Sequence, residues 1–206
     1  MRTLAIDCAT ESCSAALFEG DRLIAGDCRQ LGRGHAEHLV PMIAALPDQG
    51  RAGRIAVSLG PGSFTGVRIG LAAARALALA WKAEAVGYPT LALVAAMAQA
   101  QRGALALTVA MNAGHGEWFV QRFAASGEAE TALHSLSPEE ATRLATTPLV
   151  AGSRAEELVG LRGSGEALAI WPDARAFKLL APDVLQAADA PIYGRGPDAK
   201  PAATGQ

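Results

Sequence analysis

The chain has 206 residues, half of them hydrophobic and 18% charged, with a formal net charge of −2. That balance excludes a disordered chain and supplies apolar surface for a sizeable core, in one large domain or two smaller lobes. It also excludes a global positive field for gripping a phosphate backbone, so any part in nucleic-acid chemistry would run through a partner.

The opening MRTLAIDCATESCSAALF is interrupted by Asp7 and Glu11 too soon for a secretory leader. The longest apolar run, Val67 to Trp81, carries Arg68 and Arg75 and falls short of the roughly 20 residues of a bilayer span. The expectation is a cytoplasmic protein that uses no membrane. Cys8, Cys13 and Cys28 all lie near the start and read as small apolar strand residues, not as a ligand set.

In chain order, residues 2–30 alternate and are punctuated at Asp7–Glu11 and Glu19–Asp21, which predicts a three-strand meander. HAEHLVPMIAAL places Leu39, Ile43 and Leu46 at helical spacing, with Pro41 near the first turns. RIAVSLG reads as a buried strand, Val67–Lys82 as a helix, EAVGYPT as a strand and Leu91–Gln101 as a helix. After QRG the pattern restarts: ALALTVAM, a turn at Asn112–Gly116, and EWFVQRFAA form a hairpin. Ser137 with Glu140 marks a helix start, and PLVAGS, RAEELVGL and ALAIWP continue the alternation. FKLLAPDVLQAA reads as a helix interrupted by Pro182. The restart divides the chain into a first lobe at 1–102, a smaller second lobe at 103–190 and a Pro- and Gly-rich flexible tail at 191–206.

Between strand and helix lies the loop Gly60, Pro61, Gly62, Ser63, Phe64, Thr65, Gly66. It has no lysine for a P-loop, its glycines are spaced one residue too long for a dinucleotide turn, and Ser63 lacks the glycine two residues on that a nucleophile elbow needs. What remains is a strand-to-helix turn with a generic anion-binding geometry. Gly66, Gly70, Ala74 and Ala78 then repeat every four residues, a ridge of small side chains suited either to a second helix or to the protein's own sheet. His35 and His38 are three apart, not four, and Ala36 stands where the zinc-peptidase motif has Glu, so they do not make that motif.

LAIDCATESCSAAL, GHAEHLVPMI, GPGSFTGVRIG and YGRGPDAKP together resemble the bacterial TsaB (YeaZ) family across nearly the whole chain. The resemblance implies the α/β, actin-like fold of the sugar-kinase and Hsp70 type, with two βββαβα lobes, the second reduced. It implies a non-catalytic partner in threonylcarbamoyladenosine modification of tRNAs reading ANN codons. Such a partner pairs with a larger catalytic relative, TsaD, joined by the ATPase TsaE; it meets tRNA only through that complex, and self-pairing of the isolated chain is left open. Pairing through first-lobe helices would place His35, Leu39, Ile43, Gly66, Arg68, Gly70, Ala74 and Leu77 at the interface. The metal-binding His-x-x-x-His of TsaD-like proteins falls here on Thr90 and Val94, so neither a metal nor a cofactor is expected. Asp7 and Thr10 occupy the place of the fold's first phosphate loop, which keeps open a nucleotide-binding ATPase; a metal-dependent peptidase-like (M22) hydrolase is the other alternative. In the second lobe MNAGHGEW puts neutral Asn112 where the family more often has an acid, a poorer Mg²⁺ ligand.

Overall fold

The computed structural model describes residues 1–195, so positions 196–206 of the expected tail lie outside the described residues. β1 (Arg2–Asp7), β2 (Ser12–Glu19) and β3 (Arg22–Gln30) form the expected antiparallel meander. α1 (His35–Ala44), β4 (Arg54–Ser58), α2 (Phe64–Trp81) and β5 (Glu84–Tyr88) follow, with β4 parallel to β1 and β5 parallel to β4. β1 and β2 are apolar at successive positions because both faces of the sheet are covered. Leu4, Ile6, Ala15 and Leu17 meet α1 and α2 on one side, while Ala5, Ala16 and Phe18 meet Tyr88, Leu93 and Phe177 on the other.

α2 starts at Phe64, three residues before the expected Val67, because the Ser63 hydroxyl accepts the Gly66 N–H at 3.2 Å. The second half of the glycine loop is therefore the helix's first turn, capped by a side chain in the usual way. α3 (Thr90–Arg102) carries the chain across: Leu93 packs on the first lobe, while Leu91, Val94, Ala95 and Ala98 enter the core of the second.

The second lobe comprises β6 (Leu107–Gly114), β7 (Glu117–Phe123), β8 (His134–Leu136), α4 (Pro138–Leu144), β9 (Leu149–Ala151), α5 (Ala155–Arg162) and β10 (Glu166–Leu168). Its sheet order, β10-β9-β6-β7-β8, repeats the β5-β4-β1-β2-β3 of the first, with every strand but β6 shorter than its counterpart. Ser137 and Glu140 form the capping box anticipated at α4. Strand β8, only three residues long, gave no signal in the sequence.

The helix expected in FKLLAPDVLQAA does not form. Residues Ala174–Leu179 and Pro182–Val184 make two separate 3-10 turns, and β11 (Gln186–Ala187) pairs antiparallel with β5. Pro182 lacks an N–H and holds Ala181 extended (φ −65, ψ 142), which stops a continuous helix. Phe177 meanwhile lodges with its ring 6.1 Å from that of Phe18 and 5.6 Å from that of Tyr88. The segment thus returns from the second lobe to cover the first lobe's sheet.

Candidate functional site

The turn between β1 and β2 is held by its own carbonyls. The Cys8 carbonyl lies against Gly66, and the Ala9 carbonyl accepts the Ser63 N–H at 2.7 Å. The Thr10 carbonyl faces His35 Nε2 at 2.7 Å; since a carbonyl only accepts, Nε2 carries the proton. The Glu11 carbonyl accepts N–H groups from Leu31 at 2.8 Å and Gly32 at 3.0 Å. A β-carbon at Gly62 would collide with the Ala9 carbonyl and one at Gly66 with the Cys8 carbonyl. Gly60, at φ 94 and followed by a cis bond to Pro61, uses its carbonyl to accept the Thr90 N–H at 2.8 Å. The loop's glycines therefore serve close backbone approach. Carbonyl oxygens stand before the start of α2, the wrong polarity for a phosphate.

Asp7 is fully buried at the end of β1, and burial pushes its carboxyl up from 3.8 to about 7, against the opposing effect of hydrogen bonds. Those bonds come from the Ala9 N–H at 2.9 Å, from the Ser58 side chain and from the Tyr88 hydroxyl at 3.4 Å. Tyr88 also donates to the Ile6 carbonyl at 2.9 Å, and Ser58 bonds Thr90 at 2.7 Å. The Thr10 hydroxyl accepts the Ser12 N–H at 3.2 Å. Both residues of the candidate phosphate loop are thus engaged by the chain itself. Across the inter-lobe cleft, Asn112 Nδ2 donates to Glu11 Oε1 at 3.3 Å, while Asn112 Oδ1 accepts the Gly114 N–H at 3.1 Å.

Six of the eight residues expected at a partner surface lie inside the chain's own core. Leu39 and Ile43 of α1 and Ala74 of α2 join one apolar cluster, and His35 is buried under the β1–β2 turn. Gly66 and Gly70 are buried too; a β-carbon at Gly70 would touch Val57 at 3.5 Å and Cys8 at 3.6 Å. The small-residue ridge therefore faces the protein's own sheet. Leu77 is half-buried and Arg68 exposed. What α1 and α2 present outward is a different set: Val40 is 62% exposed, Phe64 59% and Leu79 84%. Exposed Ala36, Ala44, Ala72 and Ala76 lie on the same helices.

The sequence patterns missed Val40 and Leu79, because helical spacing shows a stripe without telling which side the sheet takes. They also missed Tyr193, whose ring centroid lies 6.1 Å from that of Phe64 although the two are far apart in the chain. Among the described residues α2 is the one helix whose length and composition would suffice for a bilayer span. Its inner face is nevertheless committed to the sheet, and Arg68 and Arg75 stand on its outer one.

Thr90, fully buried, bonds Ser58, and Val94 packs in the second lobe's core, so neither position offers a metal ligand. Among the described residues no group of three His, Cys, Asp or Glu side chains is placed to hold a metal ion.

Fold and site together define a two-lobed protein of the actin-like class, its inter-lobe turn filled by its own backbone and its first pair of helices left with an open apolar face. A family model described as TsaD, tRNA N6-adenosine threonylcarbamoyltransferase, matches residues 29–157. The chain belongs to this TsaD family, and proteins named TsaB or YeaZ are among those it is similar to. A relative from Escherichia coli (strain K12), tRNA threonylcarbamoyladenosine biosynthesis protein TsaB, is 38% identical over 122 residues, covering 57% of this chain and 52% of its own. The chain thus spans about half the length of that curated relative. YeaZ from Pseudomonas aeruginosa superposes with a TM-score of 0.77 at 27% identity, covering 93% of this chain and 99% of its own. The ethanolamine utilization protein EutJ from Carboxydothermus hydrogenoformans, with a TM-score of 0.52 at 13% identity over 88% of this chain and 90% of its own, shares the fold alone.

Proposed function

We propose that this chain is a non-catalytic partner subunit in the formation of threonylcarbamoyladenosine on tRNAs that read ANN codons. It pairs with a TsaD-type catalytic subunit through the outer face of α1 and α2, a TsaE-type ATPase joins that pair, and tRNA reaches the chain only through the complex. The observation that carries this reading is the exposed set Val40, Phe64 and Leu79 on helices whose other side is fully committed to the core. Large apolar side chains exposed on two neighbouring helices offer a partner apolar area to bury. Support also comes from what fills the other candidate sites: Thr90 and Val94 in place of imidazoles, and backbone carbonyls in the glycine loop. The contribution to the reaction is then to bind the competent conformation of the catalytic subunit better than other conformations and so raise its population. When that subunit is absent, the same face is available to a second copy of this chain.

The test is co-purification with the TsaD-type paralogue of the same genome, followed by measurement of the modified nucleoside in tRNA with and without this chain. Modification is expected only when both are present. A chain that modified tRNA, hydrolysed ATP or cleaved peptides by itself would overturn the reading, as would a paralogue fully active alone.

A further inference from the structure

Arg68 sits on the outer side of α2, one turn after Phe64, with its guanidinium carbon 3.4 Å from the Phe64 ring centroid and 5.8 Å from that of Tyr193. Nη2 donates to the Tyr193 hydroxyl at 2.8 Å, and the two rings are inclined by 31°. The guanidinium is therefore held against aromatic surface, with much of its rotamer freedom already lost before any partner arrives. Its other N–H groups meet no acceptor, and no carboxylate reaches it, among the described residues. Several other arginines are engaged within the chain: Arg54 and Arg102 pair with Glu84 and Glu166, and Arg75 donates to the carbonyls of Ala188 and Asp189. No acidic residue occurs anywhere in α2.

A planar fork with free donors, displayed on a helix without acidic residues, is complementary to a carboxylate bound by two N–H groups. The geometry points to Arg68 as the anchor that receives an Asp or Glu carboxylate from the catalytic subunit; this inference rests on the partner reading above and names the chemistry that the partner's face must carry. A phosphate of tRNA is the less favoured occupant, since the chain carries a net charge of −2 and a single fork makes no backbone-tracking patch.

The experiment measures association of the full chain with the purified TsaD-type subunit by calorimetry, at about 50 and about 300 mM salt. Arg68→Gln is expected to weaken association by about tenfold or more at the lower salt and to flatten its salt dependence. Arg68→Lys keeps the charge without the fork and is expected to recover only part of the loss. Tyr193→Phe keeps ring and charge and is expected to stay within about threefold of the parent chain. Melting curves of each variant establish that the fold is kept. If the parent chain fails to associate, the partner reading falls and this one with it. If the parent chain associates and Arg68→Gln does so equally well, only the anchor falls. Loss with Tyr193→Phe equal to that with Arg68→Gln would make Arg68 an internal clip on the C-terminal segment and overturn the proposal. Unchanged association with weakened retention of tRNA would overturn it in favour of a phosphate contact.

Discussion

Gly62 and Ala9 contend for one space: the carbonyl oxygen of Ala9 stands where a β-carbon on residue 62 would have to go. The obstacle is backbone, already bonded to the Ser63 N–H at 2.7 Å, so it cannot swing aside as the end of a flexible side chain would. Gly62→Ala is therefore expected to cost about 2 kcal/mol or more in urea unfolding, as overpacking against fixed backbone does. Gly160, exposed in α5 with open space around it, is the control. There Gly→Ala is expected to stabilise by roughly 0.5–1 kcal/mol. Equal effects at the two positions would mean that the turn yields and the clamp is not rigid.

Asp7 predicts a pH dependence of the opposite sign from that of an ion-paired carboxylate. Its carboxyl titrates near 3.8 in an open chain and near 7 in the folded protein, chiefly because burial disfavours the charge. Between those values the native state holds a proton that the unfolded state has released. Stability should therefore fall as pH rises from about 4 to about 7 and then level off. At pH 8, Asp7→Asn should be more stable than the parent chain by up to about 4 kcal/mol, less whatever the Ala9 and Tyr88 hydrogen bonds lose. Near pH 4 the two should differ little. Urea titrations across this range decide it, and a gap that does not widen with pH would refute the assignment.

The parts of the fold legible in the sequence are those set by short-range pattern. Turn residues at Asp7–Glu11 and Glu19–Asp21 marked off the β1–β3 meander, Ala/Leu content gave α2, the Ser137 and Glu140 pair gave the start of α4, and the restart after residue 102 gave the second set of strands and helices. What stayed hidden depends on partners distant in the chain. A ridge at Gly66, Gly70, Ala74 and Ala78 fits a foreign helix and the protein's own sheet equally well by spacing. Contact with Val57 and Cys8 decides for the sheet. Likewise nothing local to residues 177–188 reveals that Phe177 is bound for Phe18 and Tyr88 or that β11 finds the edge of β5. Six of the eight residues expected at the interface are thus inward neighbours of those that face solvent, while Arg68 is exposed and Leu77 half-buried.

That distinction decides which substitutions can test the partner surface. A bulky side chain at Gly70 or Ala74 would strike the chain's own sheet and report on folding alone. Leu79→Lys and Val40→Lys alter exposed positions and are expected to leave the unfolding free energy within about 0.5 kcal/mol. Association with the TsaD-type subunit, measured by calorimetry, is expected to weaken about tenfold or more if either residue lies in the desolvated centre of the contact. Full association by the double variant would place the contact on another face.

The returning segment yields the last test, because one ring is its largest buried side chain. Phe177 is buried between Phe18 and Tyr88, while its neighbours Arg175 and Lys178 are held by surface ion pairs to Asp173 and Asp21. The Lys178–Asp21 pair is largely exposed and contributes on the order of 1 kcal/mol at most, while the Arg175–Asp173 pair joins two residues of the segment itself and does not attach it to the sheet. Truncating Phe177 to Ala removes the ring and leaves a cavity against a sheet that cannot collapse into it, with an expected cost of about 3–5 kcal/mol in urea unfolding. Local opening should precede global unfolding, since what then remains is the small Ala174, whose N–H donates to the Ser14 hydroxyl at 2.9 Å, the bond from the Ser12 hydroxyl to the Pro172 carbonyl at 3.2 Å, the short β11 pairing and the two carbonyl bonds of Arg75. Trypsin at denaturant concentrations well below the midpoint should then cleave after Arg175 and Lys178 in Phe177→Ala and spare both bonds in the parent chain. A variant that loses stability yet resists cleavage there until the whole chain unfolds would show that the segment and the first lobe open as one cooperative unit.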